Sequence, residues 1–191
     1  DIMTALLSIQ ILRDNPRSKV MYDVRCSKIV KETIEKNNGT PVLSRVGHSF
    51  IKKKMREEGI IFAGELSGHM YYQQNNYAES PFISTALVIN LLSNSGKKLS
   101  ELVKPLCKYY ASGEINTKVK DKPKAMTEVE KKYGKKAQQV LHLDGLSMYF
   151  KGWWFNLRAS NTEDLLRLNL EADSRGLMAK KRDEILRMMR G

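Results

Sequence analysis

Over residues 19–92 the chain alternates short apolar runs with helix-length amphipathic stretches, and that rhythm limits the fold more than any other feature. Strands separated by helical patterns pair mostly in parallel, with the helices covering the faces of the sheet. The runs 19–24, 42–46, 60–63 and 70–72 read as strands. Ser27 caps a helix to Asn37, with Gly39 at its stop. Ser49 caps a second helix, which carries Phe50, Ile51 and Met55 on one face and ends near Gly59. Ser80-Pro81 opens a third, through Leu92. A helix with Ile2, Ala5, Leu6, Ile9 and Leu12 at helical spacing precedes them all. A crossover helix normally follows a strand of its own sheet, and no initiator Met is present. The chain is therefore expected to begin inside a domain, as a fragment or a cleaved product.

The pattern changes after residues 93–100, which read as a linker. A short helix near 99–110 leads to an exposed strand at 114–120 and a helix at 124–133 closed by Gly134. Runs 140–143 and 146–150 flank Asp144-Gly145, a hairpin signal. Strands at 153–157 and 165–170 and a final helix to Arg190, capped by Asp173 or Ser174, complete an α+β pattern. The expected organisation is an α/β domain with a mixed, mostly parallel sheet at 1–96, a linker at 97–104 and a smaller α+β domain at 105–191. Hydrophobic residues at 41% and charged residues at 28% exclude disordered, collagenous and coiled-coil chains. No apolar run approaches ~18 residues, and no signal peptide is visible. The two cysteines, Cys26 and Cys107, are too few for a disulfide scaffold, so a reducing cytoplasm is expected. The net charge of +12 divides into +5 over residues 1–100 and +7 over 101–191. That balance allows nucleic acid, anionic lipid or phosphorylated small molecules as partners, or simply a solvated lysine-rich surface.

In open α/β sheets ligands bind beyond the carboxyl ends of the strands. Three chemically dense loops follow the first three strands: Asp23-Val24-Arg25-Cys26-Ser27, Gly47-His48-Ser49 and Gly64-Glu65-Leu66-Ser67-Gly68-His69. A carboxylate beside hydroxyl and imidazole groups can grip vicinal sugar hydroxyls, although the third string is also compatible with an ordinary surface turn. His48 is equally compatible with a structural role at the helix start. The second dense site is Arg158-Ala159-Ser160-Asn161-Thr162-Glu163. Its guanidinium suits a dianionic phosphate, its neutral donors can form a nest, and Glu163 is expected to turn away. A polar turn is the plain alternative. Trp153, Trp154 and the Met178–Met188 face read as packing, His142 as structural, and Cys26 lacks a base to activate it.

Taken in order and spacing, Gly47-His48-Ser49-Phe50-Ile51-Lys52-Lys53-Lys54-Met55, Gly64-Glu65-Leu66-Ser67-Gly68-His69, Lys151-Gly152-Trp153 and Arg158-Ala159-Ser160-Asn161-Thr162 resemble the α-D-phosphohexomutase family, the bacterial phosphomannomutases/phosphoglucomutases. The family has four domains, and this chain resembles most of the third and all of the fourth. The resemblance implies reversible interconversion of hexose 1-phosphate and hexose 6-phosphate, with mannose and/or glucose as the sugar, through a hexose 1,6-bisphosphate. It implies that Gly47, His48, Glu65 and Ser67 bind the sugar. His69 becomes a candidate general acid or base or a phosphate contact, and Arg25 a supporting residue where the family usually has lysine. Arg158, Ser160, Asn161 and Thr162 become a phosphate clamp. Family members also carry a Thr-Ala-Ser-His-Asn type phosphoserine loop and an Asp-x-Asp-x-Asp loop for Mg2+, and neither string occurs here. Both belong to the missing domains 1 and 2, the expected partners. Alone, the chain is expected to bind hexose phosphates weakly and catalyse nothing, and to hold no metal. Asp164 stands where many relatives have proline, which is expected to loosen the phosphate loop. Leu66 favours mannose or glucose over glucosamine. No nucleic acid and no membrane partner is expected. The rival reading is a stand-alone phosphosugar- or RNA-binding module without catalysis, although the Gly-aromatic signature of an RNA-recognition sheet is absent.

Overall fold

Helix α1 (Ile2–Asp14) starts on Asp1, whose Oδ1 accepts the Ile2 N–H and whose Oδ2 accepts the Ser27 N–H at 3.1 Å. This computed structural model describes residues 1–160 and 163–190, and the chain divides into two compact units, 1–108 and 109–191. In the first unit β1 (Lys19–Asp23), α2 (Lys28–Lys36), β2 (Thr40–Ser44), α3 (His48–Glu58) and β3 (Phe62–Gly64) follow α1. Then come β4 (Met70–Tyr72), β5 (Ala78–Glu79), α4 (Pro81–Ser95) and α5 (Leu99–Val103). The sheet is mixed, in the order β2-β1-β3-β4-β5, with β1 parallel to both β2 and β3 and the rest antiparallel. Crossovers between parallel strands are right-handed, so α2, between β1 and β2, and α3, between β2 and β3, fall on opposite faces. On the α3 face Ile51 and Met55 pack with Met21, Ile60, Ala63 and Tyr71. Each such aliphatic side chain contributes roughly 1.5–3 kcal/mol on burial. α1 lies against α2 and buries Ala5, Leu6, Leu7 and Leu12. No residue of α4 is fully buried, and Phe82 stands 85% exposed.

The second unit contains β6 (Tyr110–Lys118), α6 (Lys122–Tyr133), β7 (Gln139–Leu141), β8 (Leu146–Phe150), β9 (Trp153–Ala159), β10 (Leu165–Ala172) and α7 (Arg175–Arg190). Its sheet is antiparallel throughout, in the order β6-β10-β9-β8-β7. Trp153, Phe155 and Leu157 join Val129, Tyr133, Leu168, Ile185 and Met189 in one apolar cluster with α6 and α7. Side chains alternate along a strand, so Trp154, Asn156 and Arg158 occupy the opposite face. There Trp154 Nε1 donates to Glu171 Oε1 at 2.9 Å, and Asn156 Nδ2 donates to Ser147 Oγ at 2.9 Å. No helix among the described residues is long and apolar enough to cross a membrane.

Several elements differ from the sequence expectation. β2 begins at Thr40 and takes in Pro41, opposite Val20; it is an edge strand, where a missing N–H can face outward. α3 is capped by Gly47, not Ser49, and begins at His48. Phe50 leaves the buried face and lies under the Arg45 guanidinium at 4.0 Å. The short helix expected near 99–110 ends at Val103 as α5, which packs on α1. The β7–β8 connection is longer than two residues, because Leu141 pairs with Ser147. Gly145 keeps φ near +73° there, and a Cβ on it would run into the Leu157 carbonyl.

Candidate functional site

Three loops leave the carboxyl ends of the neighbouring strands β2, β1 and β3, and two buried carboxylates tie them together. Asp23, at the end of β1, accepts Arg25 N at 2.7 Å and Arg25 Nε at 3.1 Å on Oδ1. Its Oδ2 accepts the second guanidinium arm at 2.8 Å and the Leu66 N–H at 2.9 Å. Glu65, only 5% exposed, accepts the Gly47 N–H on Oε1 at 3.1 Å and the Ser67 hydroxyl on Oε2 at 3.1 Å. The Glu65–His69 turn closes through Glu65 N to His69 O at 2.9 Å and Gly68 N to Glu65 O at 3.0 Å, with Gly68 at φ +95°. Arg25, Gly47, His48, Glu65, Ser67 and His69 all line one cavity of about 220 Å³, together with Val46, Tyr71 and Glu79.

The proton on His69 follows from its neighbours. The single Ser67 hydroxyl proton goes to Glu65, so Ser67 Oγ accepts from His69 Nδ1 across 2.9 Å. The other ring nitrogen, Nε2, lies 3.6 Å from Glu79 Oε2. Tyr71 is buried beneath the cavity and hydrogen-bonds Glu65. Burial first, and the Glu65 and Glu79 charges second, push its phenol well above the usual tyrosine range. Burial likewise holds the Cys26 thiol far above its ordinary value, which keeps it protonated and unreactive.

In the second unit Arg158 stands one residue before the end of β9, on the polar face. Arg167 of β10 is its cross-strand partner, so the two guanidinium stems stand on the same face. The Nε atoms of both are buried with no hydrogen-bond partner. Arg167 reaches Glu114 Oε1 at 3.3 Å and Glu163 Oε2 at 3.6 Å, so Glu163 is occupied by that arginine. Ser160 is buried, and its N–H closes the loop onto Leu165 O at 2.9 Å. Lys122, in the first turn of α6, donates Nζ to Glu163 O at 2.9 Å and Ser160 O at 3.3 Å, and lies 3.5 Å from Asp164 Oδ1. Asp164 O also accepts the Val119 N–H at 3.2 Å. Of the two Asp164 contacts only the one to Lys122 involves the aspartate side chain; the carbonyl bond is open to any residue at 164. Asn161 and Thr162, the other two expected clamp residues, lie outside the described residues.

Residues 1–110 match the model of the phosphoglucomutase/phosphomannomutase alpha/beta/alpha domain III, and residues 114–188 match that of the phosphoglucomutase/phosphomannomutase C-terminal domain. The chain belongs to the phosphoglucomutase/phosphomannomutase family. It is 48% identical to a phosphomannomutase of Methanocaldococcus jannaschii over 185 residues, covering 97% of this chain and 41% of that protein. A phosphoglucomutase/phosphomannomutase family protein of Burkholderia thailandensis superposes with a TM-score of 0.83 at 25% identity, over 98% of this chain and 40% of that one. An Aspergillus fumigatus N-acetylphosphoglucosamine mutase, solved in complex with GlcNAc-6P and magnesium, shares the fold with a TM-score of 0.70 at 14% identity, over 100% of this chain and 46% of that one. The chain spans about two-fifths of the length of the curated relatives it matches.

Magnesium finds no ligand set in this family member's described residues. No group of three or more His, Cys, Asp or Glu side chains among them is placed to hold a metal ion, and the oxygens of Asp23 are already committed to Arg25 and Leu66. Sequence reasoning missed Tyr71, Glu79, Lys122 and Arg167 as site neighbours. Arg167 becomes visible only with the β9–β10 register, and Lys122 has no local signal at all. Asp23 could have been found: an acid two residues before a cation, at the end of an apolar run, has a short reach to it.

Proposed function

We propose that this chain supplies the sugar and phosphate contacts of a phosphohexomutase interconverting hexose 1-phosphate and hexose 6-phosphate, with mannose and/or glucose as the hexose. The observation that carries the proposal is the gathering of Arg25, Gly47, His48, Glu65, Ser67 and His69 around one cavity in a member of this family. In this reading Glu65 and Ser67 meet the ring hydroxyls, with Gly47 and His48 lining the same pocket. His69 takes or gives a proton at Nε2 as a sugar oxygen gains or loses its phosphoryl group. Arg25 supports the charge that develops there. Arg158, Arg167, Ser160, Asn161 and Thr162 hold the phosphate that is not being transferred. A clamp that reads the dianion alone accepts either orientation of the sugar, which a mutase working through a hexose 1,6-bisphosphate requires. The phosphoserine and Mg2+ chemistry comes from domains 1 and 2 of the same enzyme, which acts in the cytoplasm. By itself this chain binds hexose phosphates without turning them over.

Titration of the chain with glucose 1,6-bisphosphate and with mannose 1-phosphate, followed by NMR, tests the reading. Amides of residues 64–69 and 158–160 shift if it is right. If both sets stay in place, the site assignment fails. Mixing the chain with a protein carrying the family's first two domains is expected to restore isomerase activity. Glu65→Ala or Arg158→Ala is expected to lower that activity by roughly a hundredfold or more.

A further inference from the structure

We infer that Asp23 is a positioning residue that sets both Arg25 and the Glu65–His69 turn for ligand. The inference rests on the reading just given, in which those groups touch a hexose phosphate. Asp23 is fully buried, and each carboxylate oxygen accepts two hydrogen bonds: Oδ1 from Arg25 N and Nε, Oδ2 from the other guanidinium arm and from Leu66 N. Four donors fill the acceptor capacity of one carboxylate. The two loops are 43 residues apart in sequence, and this side chain joins them directly. The two parallel N–H···O bonds fix the plane of the Arg25 guanidinium, whose side chain is only 10% exposed. The Leu66 bond holds the turn at its second residue, between Glu65 and Ser67. Asp23 therefore acts through two other groups and needs no contact with the sugar.

Asparagine has nearly the same shape but presents two N–H donors where one oxygen stood. At the Oδ1 position those donors face Arg25 N and Nε, and at the Oδ2 position they face the other guanidinium arm and the Leu66 N–H, so Asp23→Asn breaks at least one of the two links without leaving a void. The test compares the whole chain as wild type, Asp23→Asn, Arg25→Gln and the double variant. Glucose 1,6-bisphosphate is the probe, and NMR reads the dissociation constant, the Leu66 amide and the Arg25 Hε signal. Asp23→Asn is expected to displace the Leu66 amide or the Arg25 Hε signal and to weaken binding roughly ten- to a hundredfold. The double variant is expected to lose less than the product of the two single losses, because Arg25 carries part of the Asp23 effect while the Leu66 link carries the rest. A residue of purely structural importance would not give that less-than-additive pattern. Unchanged affinity in Asp23→Asn, or losses that multiply fully in the double variant, overturn the inference. Should Asp23→Asn fail to fold, the double variant, which removes both buried charges together, decides. A displaced Leu66 amide then supports the inference, and an unmoved one overturns it. Should the wild type show no ligand-induced shift, the hexose phosphate reading fails by itself. The Leu66 and Arg25 signals in Asp23→Asn still decide the link: displaced, it holds; in place, it is wrong.

Discussion

Gly64 is the last residue of β3 and the pivot from which the Glu65 turn springs, and its missing side chain is filled by Thr4 of α1. A Cβ at Gly64 would overlap Thr4, which is itself fully buried. Gly64→Ala is therefore expected to destabilise the protein by ~1–3 kcal/mol, the usual cost of overpacking. Chemical denaturation monitored by the NMR signals of β1 and β3 checks this, and an unchanged midpoint refutes it. The same overlap would push the turn outward, so Gly64→Ala is also expected to weaken hexose phosphate binding in the titration above. Glu65 shows the other side of residue-scale design. Its oxygens already face Gly47, Ser67 and Tyr71, so it enters any sugar contact as a group held still beforehand.

Helices α6 and α7 are joined by a small polar cluster at the edge of an apolar face. Tyr133 Oη donates to Glu184 Oε2 at 3.0 Å, and Lys181 Nζ lies 2.7 Å from the same oxygen. The Lys181 hydrogen bond, aided by Tyr133 and opposed by partial burial, holds the Glu184 carboxyl below its ordinary value. A depressed folded value means that the ionised form stabilises the fold above the unfolded value near 4.5, and that this stabilisation is lost as pH falls through the lower folded value. Glu184→Gln is expected to cost about 0.5–1 kcal/mol at pH 7 and nothing in strong acid, measured by urea melts at pH 7 and below pH 3. A cost that is the same at both pH values would contradict this. Most elements could be read from the sequence, because their signals are local: Ser80 Oγ does accept the Ile83 N–H, and Gly59 does end its helix in the left-handed conformation, although α4 runs past the expected Leu92 to Ser95 and stops at Gly96. Misreadings arose where a distant partner decides. Pro41 is tolerable only because β2 is an edge, which depends on the strand order. Phe50 is a local misreading instead: it sits about 100° around the helix from Ile51, off the buried face, where Arg45 covers it. The Arg158–Arg167 pairing needs a strand register that no spacing rule supplies.

Among the described residues, one hydrophobic cluster is built wholly from the first unit and another wholly from the second, and no residue belongs to both. Phe155 is fully buried in the second, among Tyr133, Phe150 and Trp153. Phe155→Ala is expected to cost ~3–5 kcal/mol in that unit. Hydrogen exchange should show lost protection across β8, β9 and β10, while the amides of β1 keep theirs; collapse of protection in both would show a single cooperative block. The division of the candidate site follows the same line. The residues proposed to meet the sugar all fall within 1–108 and those proposed to hold phosphate within 109–191, and the sequence motifs that pointed to them could be sorted in this way from their order alone. The lysine on α6 adds a consequence for protein engineering. Because Lys122 grips carbonyls 38 and 41 residues further along, the loop proposed to hold phosphate is not a portable cassette. Grafting 158–164 into another antiparallel scaffold would transplant the letters without their anchor unless a cation is installed on an adjoining helix to seize the same two oxygens.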